Sequence, residues 1–138
     1  MDCPSEMETR YSEKLKRLEH EAAEIIDFLN DPAPKDPDAL TKRLSTISAY
    51  NARTGEMLAD AEYILTCQRG EELEGLLDDD PKMPASQQKT LVDARCADAI
   101  RVCRLIERAN RACVHAMEAC ITLVSFAKED MSLARKGY

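Results

Sequence analysis

Apolar residues recur at alternating steps of four and three along the last third of this chain, at Val92, Cys96, Ala99, Cys103, Ile106, Asn110, Cys113, Met117, Cys120, Val124, Ala127, Met131 and Ala134. A mean step of 3.5 residues keeps one stripe of a helix turned toward a neighbour, and Asn110 is the one polar member of the stripe. Two earlier runs have the same period: Tyr11, Leu15, Leu18, Ala22, Ile25 and Leu29, then Leu40, Leu44, Ile47, Asn51, Thr54, Leu58, Ala61, Leu65 and Gln68. The spacing predicts three helices over about residues 5–30, 37–69 and 86–136. The fold class is therefore all-α, a single elongated helical bundle over residues 1–138 in which the second and third helices form a long antiparallel hairpin.

Local signals set the expected ends. Ser5 to Glu8 reads as a capping box opening the first helix. Asp31 to Pro37 is a stiff linker, because Pro32, Pro34 and Pro37 remove amide donors and force their predecessors into extended backbone. Asp36 suits the N-cap of the second helix with Pro37 at its first position, and Gly70 its C-terminal stop. Residues 70–85, with Glu71, Glu72, Glu74, Asp78, Asp79 and Asp80, are then expected as an acidic connector before a third helix of fifty residues, ~75 Å long. If Asn51 and Asn110 face each other in the hairpin, its centre falls at Asp80-Pro81, with Leu58 opposite Cys103, Leu65 opposite Cys96 and Leu44 opposite Met117. A buried Asn pair forms a polar layer that specifies register.

The third helix has more apolar surface than one neighbour can cover. Its polar side is a narrow stripe of Arg101, Arg104, Arg108, Arg111, His115, Glu118 and Thr122. The register exhausts the second helix near Ile121, leaving Leu123, Val124, Phe126, Met131 and Leu133 as an overhang. The first helix or another subunit must cover it, and a homo-oligomer is the expected partner arrangement.

Composition narrows the function classes. The formal charge is -7, yet residues 86–138 carry nine Lys or Arg against six Asp or Glu, a net +3, so residues 1–85 hold -10. An acidic total argues against a surface that grips nucleic acid or anionic membrane all over. No signal-peptide pattern opens the chain and no apolar run is long enough to span a bilayer, so the cytoplasm is the expected location. Cys96, Cys103, Cys113 and Cys120 fall in the seam. Seven residues of helix rise ~10.5 Å, too far for a disulfide between heptad neighbours, so they read as small buried hydrophobes.

The sharpest chemical candidate is the ladder of Arg101, Arg104, Arg108 and Arg111, which lie on one helical face and could span phosphates of a nucleic-acid backbone. The alternative is a solvated stripe paired with Glu19, Glu21 and Glu24 of the first helix. The acidic connector lacks the ligand spacing of a calcium loop. An all-helical, magnesium-dependent nucleotide pyrophosphohydrolase would need two acidic motifs on adjacent helices. Glu71 to Glu74 gives one, and the third helix lacks the other. No di-iron, nucleophile or glycine-rich pattern is complete either, so no enzyme, cofactor or metal is expected.

Gly55-Glu-Met-Leu-Ala-Asp-Ala-Glu-Tyr63 and Ile106-Glu-Arg-Ala-Asn-Arg-Ala-Cys-Val-His115, the latter continuing through Cys120, Thr122, Leu123, Ser125 and Ala127 to Glu129, resemble stretches of small uncharacterised all-helical proteins encoded by bacteriophages and prophages of gut bacteria. Such proteins often lie near genes for DNA recombination or single-strand binding. The resemblance covers the second and third helices and implies a phage accessory role in a bacterial host cell, in a context of DNA metabolism; action through protein contacts is expected from the apolar overhang. The group has no established activity, so it assigns no functional residue.

Overall fold

The computed structural model describes residues 4–137, with side chains from residue 10 onward. Among them all regular structure is helical: α1 (Pro4–Asn30), α2 (Pro37–Asp79), α3 (Ala85–Arg95) and α4 (Ala97–Arg135). The side chains of the Ser5–Glu8 capping box lie outside the described residues. α2 and α4 pack antiparallel over most of their length, and α1 lies in the groove between them. It runs antiparallel to α2, where Glu21 meets Arg53, and parallel to α4, where Glu19 meets Arg101. The result is a three-helix core of Leu15, Leu18, Ala22, Ile25, Leu40, Ile47, Met57, Ala61, Ile64, Ala99, Val102 and Ile106, with the four seam cysteines buried among them.

The α1–α2 corner is held by one side chain. The Arg43 guanidinium donates to the carbonyls of Phe28, Leu29 and Asp31 at 3.3, 3.4 and 2.8 Å, satisfying acceptors that the end of α1 leaves open. It also lies 4.8 Å from the centre of the Phe28 ring, which meets Tyr50 edge-on at 5.2 Å. Asp36 caps α2 by accepting from the Ala39 amide at 3.0 Å, with Pro37 in the first turn.

Two expected boundaries are corrected. α2 does not stop at Gly70 but runs on to Asp79, so most of the expected 70–85 connector is helix. Gly70 and Gly75 each cost about 1 kcal/mol in a helix interior. Continuing the helix buries Leu76 and half-buries Leu73 and Leu77, and one fully buried Leu contributes about 1.5–3 kcal/mol. The turn comes at Asp80, whose amide closes on Leu76 and whose carbonyl accepts from Met83. An added Cβ at Gly70 would meet nothing within 4 Å. Gly70→Ala is therefore expected to raise stability by about 0.5–1 kcal/mol in urea unfolding.

The second correction concerns the long third helix, which breaks in direction at Cys96 (φ −100°, ψ 16°) while its hydrogen-bond ladder continues from Cys96 to Val92 and from Ile100 to Cys96. The break falls where the packing partners change. Among the described residues α3 packs against α2 and α4, whereas α4 packs against both α1 and α2.

Candidate interaction surfaces

Three groups of residues stand out from the helical core. The first is a polar layer inside the α2/α4 seam. Asn110 Nδ2 donates to Thr54 Oγ1 at 2.9 Å and approaches Asn51 Oδ1 and the Asn51 carbonyl, both at 3.3 Å. Thr54 has no exposed surface, and its hydroxyl donates to the Asn51 carbonyl at 3.0 Å. Asn51 and Asn110 thus meet across the seam, in a layer that also contains Thr54. Sequence reasoning placed Thr54 in the stripe without assigning it a polar role, although a threonine three residues after the Asn on one helical face was the available signal.

The second group is the arginine ladder. Arg101, Arg104, Arg108 and Arg111 are all exposed on the outer side of α4. The first three line an open trough with Asp93, Ala97, Ile100 and Leu105, which is one face of α3 and α4 rather than a cleft between elements. Arg101 is engaged: it holds Glu19 of α1 through two hydrogen bonds at 2.5 and 3.0 Å and also reaches Asp98. The expected pairing of the ladder with α1 extends no further among the described residues. Glu21 turns to α2, where it takes Arg53 in a bidentate pair at 2.6 and 2.9 Å, and Glu24 pairs with His20 on its own helix.

These ion pairs make stability pH-dependent. Hydrogen bonding from Arg53 holds the Glu21 carboxyl below its ordinary value of 4.5, against desolvation, and Arg101 does the same to Glu19. A carboxyl depressed in the folded state contributes stability that is fully present above its unfolded value and is lost as pH falls through its folded value. The difference in urea midpoint between the wild type and Glu21→Gln should therefore be constant from pH 7 to about 5 and shrink steadily below 4.5. A difference unchanged down to pH 3 would mean that the pair adds nothing.

The third group is the C-terminal part of α4. Ile121, Leu123, Phe126, Met131 and Leu133 are exposed, and Val124 is half-buried against the core. α2 meets α4 at Cys120, whose thiol donates to the Leu40 carbonyl at 3.4 Å, and its first turn begins only three residues before Leu40. α1 stops sooner. Its last turn lies at Arg43 of α2, next to Leu44, which shares a groove with Met117 of α4. Of the expected overhang, Val124 packs against the core, whereas Leu123, Phe126, Met131 and Leu133 stay exposed.

The remaining chemistry is sparse. Burial pushes the Cys96, Cys103 and Cys113 thiols up, away from the reactive thiolate. Cys67 is half-buried, and its neighbourhood raises the Tyr63 hydroxyl above its ordinary value, as burial does for Tyr11. Among the described residues no three His, Cys, Asp or Glu converge as a metal-holding group, and no helix is long and apolar enough to cross a membrane. Comparison with protein families, curated proteins and solved structures returns no match.

Proposed function

We propose that this chain is a non-enzymatic helical accessory protein that works by self-association and protein contacts. The observation that supports it is the apolar end of α4, where Leu123, Phe126, Met131 and Leu133 lie exposed beyond both neighbouring helices. Large apolar side chains left exposed together at one end of a helix are a mark of an interaction site. The phage or prophage setting, a role beside DNA recombination or replication and a place in the bacterial cytoplasm follow from the resemblance of α2 and α4 to proteins of that group. Light scattering coupled to gel filtration tests the reading: at micromolar concentration the mass should be at least twice 15.5 kDa. A 15.5 kDa species up to 100 µM would overturn it.

A second reading has one observation in its favour. Arg104, Arg108 and Arg111 are exposed and have no carboxylate partner among the described residues, so they are available to an anionic backbone. In this reading single-stranded or duplex oligonucleotides raise fluorescence anisotropy at low salt, the binding weakens steeply as salt rises, and Arg104→Glu with Arg108→Glu abolishes it. No binding at low salt would leave the ladder as a solvated stripe.

A further inference from the structure

We propose that Arg104, Arg108 and Arg111 hold the phosphates of one nucleic-acid strand without regard to its bases, and that Glu19 of α1 withholds Arg101 from that strand. This rests on the nucleic-acid reading above and gives it a contact set. All four arginines are exposed, yet they are not equivalent. Arg101 has every guanidinium nitrogen engaged: Nη1 and Nη2 donate to the Glu19 carboxylate, and Nε and Nη2 donate to Asp98. A guanidinium held on both edges has no fork left for a phosphate. Of the other carboxylates around the ladder, Asp93 is taken by Arg69. Glu107 lies in the neighbouring groove toward α2, together with Glu62. Glu118, 3.9 Å from His115, closes the far end. Arg104, Arg108 and Arg111 therefore stand together with no carboxylate on them among the described residues.

Spacing and surroundings select the ligand. Arg104 to Arg111 spans ~10.5 Å of helix axis. Each strand of a duplex presents about one phosphate per 3.4 Å of its axis, so the span matches about three phosphates. Toward α3 the same steps of three and four pass Ala97, Ala94, Thr90 and Gln87, all exposed and uncharged, so a strand that continues in this direction meets no carboxylate on that line. An acidic protein would bring the same charges, but its interface would also need apolar surface at its centre. The larger apolar residues of the trough, Ile100 and Leu105, are half-buried and pack inward against the core. The bases go unread, because no aromatic ring lines the trough for one to stack on.

The test uses the full chain and the fluorescence anisotropy of a short labelled duplex, read across a tenfold range of salt. Three phosphate contacts predict an affinity that falls about 500-fold over that range, since each contact adds about 0.9 to the slope of log affinity against log salt. Arg104→Gln, Arg108→Gln and Arg111→Gln should each reduce the fall to about 60-fold. The helical circular dichroism signal should stay unchanged in all three, because the side chains are exposed. Arg101→Gln should leave the fall at about 500-fold. Glu19→Ala with Asp98→Ala frees Arg101 and should raise the fall to about 4,000-fold, and adding Arg101→Gln to that pair should return it to about 500-fold. An effect of the two lost negative charges alone would survive that last change and would overturn the role given to Glu19. If the wild type binds no duplex at low salt, the nucleic-acid reading itself falls. If it binds with a salt dependence that none of the three glutamine variants alters, that reading stands and this face is wrong. A loss for Arg101→Gln as large as for Arg104→Gln shows that Arg101 is not withheld. Polyglutamate bound as tightly as the duplex at equal charge would assign the face to an acidic protein and overturn the proposal.

Discussion

Ile106→Ala should destabilise the protein by about 2–5 kcal/mol, the range for removing a large aliphatic side chain from a packed core. Ile106 has no exposed surface and belongs to the α4 stripe that faces the other two long helices. The lost transfer free energy and the cavity add together, because side chains on separate helices cannot close one void at once. Phe126→Ala removes more atoms, yet Phe126 is largely exposed in the monomer. Measured below the dissociation concentration of any dimer, it should change stability by less than about 0.5 kcal/mol. Urea unfolding of both variants checks the contrast, and equal losses would mean that the end of α4 is covered within the monomer.

Asn110→Leu should cost about 1–3 kcal/mol, because it removes the donor that Thr54 Oγ1 and Asn51 Oδ1 accept from and leaves the Asn51 amide against an apolar side chain. Thr54 is the less affected of the two, since its hydroxyl still donates to the Asn51 carbonyl. The double variant with Asn51→Leu should recover much of the loss, because no side-chain amide is then left in the seam without its partner. A double-mutant cycle on urea midpoints should give a coupling energy of about 0.5–3 kcal/mol between the two positions. Strictly additive losses would mean that the two asparagines act independently despite their 3.3 Å approach.

The same polar layer indicates how far a sequence of this kind can be read. The stripe of steps of four and three located α1, α2 and the long α3–α4 run, because each buried position is repeated within one or two turns and every repeat reports the same face. The register of the hairpin was legible for a similar reason: each stripe carries one asparagine, and pairing the two is the arrangement that leaves neither unsatisfied. Asp36 and Pro37 marked the start of α2, since a cap is a contact between residues three apart.

What required the tertiary structure is whatever depends on a facing surface. Gly70 looked like a helix stop, and the burial of Leu76 overrode it, a contribution from across the hairpin that no local propensity contains. The bend at Cys96 lies inside an unbroken four-and-three stripe, so no local break in the pattern marks it. The ladder of arginines was visible at its spacing, but Arg101 was singled out by Glu19 being level with it, while Glu21, two residues on, faces a different helix and pairs with Arg53. Periodicity along a chain determines which faces must be covered. Only packing decides which neighbour covers each face, and where along the helix that neighbour runs out, as α1 does well before the end of α4.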